Sequence, residues 1–380
     1  MEASQLAQRI KPFLVMDVLE RAHQLEMQGA DIVHLEIGEP DFDTPGCVKD
    51  AACRAIEAGE THYTHSLGLL RLREAICEDY RKRYRVEVDP DRIVVTSGTS
   101  PAILLCLSVL LEPGQSVILS DPGYACYANF VEFAGGRTLR VPVYEEDGFQ
   151  YRPEDIRSCC DQDTRAIMLN SPANPTGTVL APERMRALAE LGPYLVSDEI
   201  YQGLVYEGKE HSVLEFTDRA FVLNGFSKRY AMTGWRLGYL IAPRGFMREI
   251  RKLAQNLFIC AGSVSQWAGI AALTEAGSDV DEMRAVYDER RRFLIRRLRE
   301  LGFGITVEPT GAFYVLANAT HIDRDSYRLA FDILEKAHVG VTPGIDFGPH
   351  GEGFLRFSYA NSLENIAVGM DRLERYLQGK

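Results

Sequence analysis

No pair of cysteines falls at CxxC spacing in this sequence, although eight cysteines occur among its 380 residues. No histidine–cysteine cluster with zinc-ligand spacing occurs either, which excludes the common structural zinc modules. Several cysteines lie in apolar stretches, such as Cys106 in Ile-Leu-Leu-Cys-Leu. They are expected to be buried, reduced thiols of a cytoplasmic protein. The opening Met-Glu-Ala-Ser-Gln-Leu-Ala-Gln-Arg lacks the apolar core of a signal peptide, and no apolar run approaches the length of a membrane span. There is no low-complexity tract, no repeat period, and no strand-linked GxGxxG of the kind that binds dinucleotides. The net charge of −12 argues against nucleic acid or an anionic membrane as a partner.

What is present is an ordinary globular composition, 46% hydrophobic and 25% charged, in a chain long enough for two domains. Residues 13–28 place Val15, Val18, Ala22 and Leu25 on one helical face, and Gly29 closes the pattern. From about 46 to 278, apolar strands alternate with helices. The expected strands are Arg92–Ser97, Ser116–Ser120, Thr138–Tyr144, Ala166–Asn170, Tyr194–Ser197, Phe221–Asn224 and Leu237–Ile241. Such alternation predicts an α/β domain with a mostly parallel sheet and helices on both faces. A long helix over 279–301 follows. Its arginines, Arg290 to Arg292, Arg296, Arg297 and Arg299, are interleaved with Asp288, Glu289 and Glu300 and read as a solvated face. Strands near Gly304–Val307, Phe313–Asn318 and Phe354–Tyr359, with a helix at 326–338, make a smaller α+β unit. The N-terminal helix is expected to pack on it, so that 1–45 and 279–380 form one discontinuous domain beside 46–278.

The chemistry-bearing residues lie at strand ends. Lys228 follows the apolar run Phe221-Val-Leu, where an amine is costly unless neutralised or bonded. A buried lysine of this kind suits a Schiff base with a carbonyl compound. Arg236, eight residues on, can hold a phosphate on that compound. Thr96-Ser97-Gly98-Thr99-Ser100-Pro101 leads from a strand into a helix, and free amides at a helix N-terminus bind phosphate. Taken alone, this run reads equally as simple capping. Ser171-Pro-Ala-Asn174-Pro-Thr-Gly177 is a turn between a strand and a helix. Asp198, in Ser197-Asp198-Glu199-Ile200-Tyr201-Gln202, ends another strand. It reads either as a helix cap or as a carboxylate at the ligand edge of an open sheet.

The run Ser227-Lys228, then Met232-Thr233-Gly234-Trp235-Arg236-Leu237-Gly238, resembles the cofactor-lysine region of the pyridoxal-phosphate-dependent class I/II aminotransferases, and the other motifs agree in order. The resemblance implies a fold-type-I transferase. Pyridoxal 5′-phosphate would be bound to Lys228 as a Schiff base. Gly98, Thr99, Ser100, Ser227 and Arg236 would hold its phosphate, Asp198 its pyridine nitrogen, and Asn174 and Tyr201 its phenolic oxygen. Tyr124 would stack on the ring. Arg356, in Gly353-Phe-Leu-Arg356-Phe-Ser, would grip the substrate α-carboxylate with help from Gly38 and Asn174. Tyr63 would reach the phosphate of a neighbouring subunit, which implies a homodimer with shared sites. No metal is implied.

The implied activity moves an amino group from an L-amino acid to a 2-oxo acid. The alternatives are a carbon–sulfur β-lyase on the same scaffold and an aspartate-type aminotransferase. Many relatives have a serine where Gly225 stands, so one phosphate contact differs here. Ser100 stands where some dicarboxylate-specific relatives carry a lysine. The runs Pro12-Phe13-Leu14-Val15 and Asn256-Leu-Phe-Ile259 are apolar. These features favour a neutral, apolar or aromatic donor.

Overall fold

The computed structural model describes residues 3–379. After the helix Leu14–Met27 and the short strand β1 (Val33–His34), the chain builds seven strands: β2 (Ile93–Thr96), β3 (Ser116–Asp121), β4 (Arg137–Pro142), β5 (Thr164–Asn170), β6 (Tyr194–Asp198), β7 (Ala220–Gly225) and β8 (Gly238–Ile241). They form one sheet in the order β2-β8-β7-β6-β5-β3-β4. Only β8 runs antiparallel to its neighbours β2 and β7; the other pairings are parallel. The four residues of β2 and of β8, and the six of β7, are all buried. Alternate residues feed two cores. Ile93, Val95, Ile167, Leu169 and Val222 enter one. Val94, Ala166, Met168, Phe221 and Leu223 enter the other, with the apolar helix Thr99–Leu110. A sheet covered on both faces needs continuous apolar strands, and these strands have them.

A third core lies in a unit of four more strands and two more helices and gathers Met283, Tyr287, Leu294 and Leu298 of the helix Gly277–Glu300. The strands are β9 (Tyr314–Asn318) and, after the helix Ser326–Ala337, β10 (Val339–Gly340), β11 (Thr342–Pro343) and β12 (Phe354–Ser358); the helix Leu363–Gln378 follows. β12 lies between β11 and β9, antiparallel to both, while β1 pairs with β10 in parallel. Val18, Ala22 and Leu25 of the N-terminal helix pack with Ile32 and Leu334, so the chain's two ends meet.

Several expectations are corrected. Gly304–Val307 is not a strand; Gly304 makes one isolated bridge to Asn318 at the open edge of β9, and the pairing goes no further. The arginines of the long helix are not one solvated face. Arg290 is held by Asp41, and Arg291 is fully buried between Asp288, Glu207 and the Pro309 carbonyl. A buried guanidinium needs such partners, and here Asp41, Glu207 and the Pro309 carbonyl come from outside the helix. Of the eight free cysteines only Cys106 is buried, while Cys53 and Cys159 are exposed.

Candidate active site

The parallel strands end along one edge of the sheet, at Asp121, Asn170, Asp198 and Gly225. There a cavity of about 230 Å³ opens between the sheet, the N-terminal helix and β12. Ligands of open α/β sheets bind at this edge. Gly38, Thr99, Ser100, Tyr124, Asn174, Asp198, Tyr201, Lys228 and Arg356 all line it.

Lys228 donates from Nζ to the Gly38 carbonyl at 2.5 Å. Burial brings its ammonium down to about 8, opposed by the Glu39 carboxylate, assisted by Arg356 and Arg236, and opposed again by Asp198. The amine therefore gives up its proton far more readily than an ordinary lysine, and the neutral form is the one a nucleophile or base requires. Asp198 is also buried, and burial pushes its carboxyl up to about 6. Three groups counter that shift: the Tyr127 hydroxyl, which donates at 2.7 Å, the Ile200 amide, which donates at 3.1 Å, and Lys228. No helix follows Asp198: the Ile200 amide closes a turn onto its side chain, so the expected helix cap is not found. The second oxygen accepts from Tyr127, and both residues line the cavity.

Asn174 is positioned through Asn170. Its amide donates to Asn170 Oδ1 at 2.7 Å, and Asn170 Nδ2 donates to the Asp198 carbonyl at 3.0 Å, tying the turn after β5 to β6. Arg356, buried in β12, reaches the same place from the other unit. Its Nη1 donates to Asn174 Oδ1 at 2.9 Å, and its Nη2 to the Glu36 carbonyl at 2.6 Å and to Thr342 Oγ1 at 3.0 Å. Its guanidinium lies 4.4 Å from the centre of the Tyr314 ring. Arg356 Nε is buried without a partner. Tyr201 shares a hydrogen bond of 2.8 Å with the Tyr314 hydroxyl.

Arg236 lies beside the start of the helix Thr99–Leu110. Gly98 has a positive φ of 94°, and a Cβ there would run into the Arg236 guanidinium. Glycine thus supplies both the turn and the space for the arginine. Gly238, the first residue of β8, is pressed against Gly98 and the Thr99 amide. Gly225 is just as confined: a Cβ would lie 3.0 Å from the Leu237 carbonyl, so a serine has no ready place.

Four residues stand outside the cavity lining. Ser227, Gly98 and Arg236 sit next to it in sequence or space. Tyr63 is 82% exposed, and a single copy of the chain does not bring it to the cavity. Asn256–Ile259 is also absent from the wall; Leu257 and Ile259 are exposed instead, so only the Phe13–Val15 run meets the expected role at the substrate end. Sequence reasoning missed Tyr127, Tyr314, Glu36 and Asn170. Tyr127, in the first turn of the helix Cys126–Phe133, meets the Tyr124 ring edge to face, and its spacing from Tyr124 is the one signal that pointed to it.

The aminotransferase class I and II family matches residues 30–373. The chain belongs to that family. It is a fold-type-I, pyridoxal-phosphate-dependent aminotransferase by descent. It is 41% identical to a (5-formylfuran-3-yl)methyl phosphate transaminase of Methanocaldococcus jannaschii, covering 96% of each chain. To an aspartate/prephenate aminotransferase of Thermus thermophilus it is 40% identical over 98% of each. The structure of an aspartate aminotransferase from Thermus thermophilus with maleate superposes with a TM-score of 0.94, at 38% identity and 99% coverage of both chains. An aromatic aminotransferase from Pyrococcus horikoshii superposes with a TM-score of 0.89 at 38% identity, covering 96% of this chain and 99% of that one. These relatives favour amino transfer over the carbon–sulfur lyase alternative. The family implies pyridoxal phosphate as cofactor. Among the described residues no helix is long and apolar enough to cross a membrane.

Proposed function

We propose that this aminotransferase binds pyridoxal 5′-phosphate through Lys228 and takes its amino group from an L-amino acid with an apolar or aromatic side chain, passing it to a 2-oxo acid. The observation that carries the reading is the meeting of Lys228, Asp198 and Arg356 in one cavity. The residues fit the cofactor. Arg236, packed on Gly98 beside the amides of Thr99 and Ser100, suits a phosphate; Asp198 suits a protonated ring nitrogen; Asn174 and Tyr201 suit a phenolic oxygen. Tyr124 supplies an aromatic face. Ser227 remains a neighbour of the phosphate cup, and Tyr63 serves the site of a second copy in a homodimer. When bound, the cofactor supplies an electron sink for charge developing at the substrate α-carbon.

The chain's own residues do the rest. Arg356 binds the α-carboxylate, with the Gly38 backbone and Asn174 beside it. With the cofactor bound, Lys228 Nζ would be the base that takes the proton from the substrate α-carbon and the acid that returns it. Asp198 would pair with a protonated ring nitrogen, and Tyr127 holds Asp198. The substrate side chain meets Phe13, Val15, Leu19, Ile37 and Ile103. Lys228 and Arg356 are the only lysine and arginine in that wall among the described residues, and both are engaged. An acidic side chain would enter without a cation of its own, which is costly in a buried site. A panel of amino donors under single-turnover conditions tests this: phenylalanine or leucine should exceed aspartate in kcat/KM. The reverse order would overturn the substrate preference.

A further inference from the structure

Two cations of the site hang on one short segment. The Glu36 carbonyl accepts from Arg356, and the Gly38 carbonyl accepts from Lys228. Beneath this segment lies a charged pair that the amino-transfer chemistry does not use. Glu36 is completely buried, and its carboxylate is pressed against Gly340, where any Cβ would collide with it. Oε1 meets His34 Nδ1 at 2.6 Å, while Oε2 has no hydrogen-bond partner. The other ring nitrogen of His34 meets Glu26 Oε1 at 3.1 Å, and Glu26 Oε2 meets His23 Nδ1 at 2.9 Å near the surface.

Both ring nitrogens of His34 therefore face carboxylate oxygens. A neutral imidazole has one N–H and can satisfy only one of them; an imidazolium satisfies both. The groups facing the pair are Glu26 and His23 from the N-terminal helix, Gly340 from β10, and Asn361, whose side chain donates to the His34 carbonyl. Arg372 of the last helix is taken by Asp31 and the His338 carbonyl and does not compete for Glu36.

We infer that the His34–Glu36 ion pair is a positioning pair for substrate binding: the imidazolium neutralises the buried Glu36 carboxylate and so keeps the Glu36 carbonyl on Arg356. The inference rests on the reading of Arg356 as the α-carboxylate site. Loss of the His34 proton leaves a buried anion with no counter-charge, a costly state relieved by moving the segment or admitting water. Either response disturbs Arg356, which Glu36 and Thr342 hold from one side and Asn174 from the other. The Thr342 hydroxyl also donates to the Glu36 carbonyl, at 3.3 Å, so β11 follows the same segment.

The sign follows from the raised affinity of His34 for its proton. The hydrogen bond to Glu36 raises its pKa to about 9 against the cost of burial, with Glu26 assisting. The support is fully present below the ordinary histidine value and is lost as pH rises through about 9.

The test uses the holoenzyme and reads KM for the best amino donor, kcat, and the His34 titration by NMR of 13C-labelled histidine, assigned by the resonance missing in His34→Gln. In the wild type, His34 should titrate near pH 9 and KM should rise there while kcat changes less. His34→Gln keeps a donor to Glu36 but removes the charge, so KM should already be raised at pH 7.5 and its rise near pH 9 should be lost. His34→Gln with Glu36→Gln replaces the ion pair by two amides; it should restore KM at pH 7.5 to within about threefold of wild type and abolish this limb. Any limb belonging to Lys228 should persist in all variants. An unchanged KM profile in His34→Gln, or a double variant as impaired as the single one, would overturn the inference. If His34→Gln fails to fold, the double variant and the wild-type titration still decide. Arg356→Lys separates the premises: unchanged KM there would overturn the carboxylate reading itself and the pair's role with it, whereas a raised KM there beside an unaltered His34→Gln would overturn the pair alone.

Discussion

Replacing Arg356 by lysine keeps the charge of the carboxylate site and removes its geometry. The guanidinium is fixed on three sides: Asn174 Oδ1 at Nη1, the Glu36 carbonyl and Thr342 Oγ1 at Nη2, and the Tyr314 ring face at 4.4 Å. A lysine ammonium is a point charge that cannot form the planar fork or stack in the same way. It can offer the substrate one charge-assisted bond where arginine offers two. One such bond contributes about 1.5–3 kcal/mol. The expected loss in kcat/KM is then roughly 10- to 150-fold at about 1.4 kcal/mol per factor of ten. Because Arg356 comes from β12 and meets Asn174 of the turn after β5, the same bond joins the two units of the chain. Substrate binding there should draw them together, so kcat should fall as well as KM rise. The assay is steady-state transamination with several donors, alongside the cofactor absorbance. All donors share the α-carboxylate, so the loss should be similar for each, and the absorbance should stay normal. An unchanged KM for the best donor would show that another residue holds the carboxylate.

Lys228→Ala should lose the visible absorbance of lysine-bound cofactor and essentially all transamination; borohydride labelling of a different lysine in the wild type would refute the assignment. Asp198→Asn should still bind cofactor but slow proton abstraction by orders of magnitude, and near-normal turnover would remove Asp198 from the mechanism. Tyr127→Phe removes the hydroxyl that donates to Asp198 at 2.7 Å, so the Asp198 carboxyl should titrate higher and turnover should fall at the acid end of the pH profile, read against wild type between pH 5 and 8. Light scattering should find a dimer, and an active monomer would defeat the role given to Tyr63.

The large sheet was legible because its physics is local. Strands buried on both faces must be apolar throughout, and Ile93–Thr96, Ala220–Gly225 and Gly238–Ile241 are. The N-terminal helix was legible for a similar reason: Val15, Val18, Ala22 and Leu25, the residues on its apolar stripe, are its buried ones. The smaller unit was harder. Gly304–Val307 has a strand-like sequence, yet β9 already has β12 on one side and only the Gly304 bridge forms on the other. That edge of β9 is open, so the pairing is ended by the course of the chain after Gly304, which sequence periodicity does not encode. Arg290 and Arg291 misled for the same reason: their carboxylate partners include Asp41 and Glu207, from far along the chain.

The site divides along the same line. Lys228, Asp198 and Asn174 could be found because each ends or follows a buried strand, where a polar group stands out against apolar neighbours. Tyr127, Tyr314 and Glu36 could not, because nothing local distinguishes them from core residues. Tyr314 sits in the apolar strand β9, and Glu36 sits two residues after His34 in what reads as an ordinary alternation. Their roles come from what crosses them: Arg356 over the Tyr314 ring, and Arg356 Nη2 on the Glu36 carbonyl. These crossings also explain why Arg356 can work so far from Lys228 in sequence. A guanidinium buried in β12 needs acceptors on several sides, and the 36–38 segment supplies one while its next carbonyl but one holds Lys228. Arg356 and Lys228 are therefore set by one piece of backbone, and a displacement of that piece must reach both.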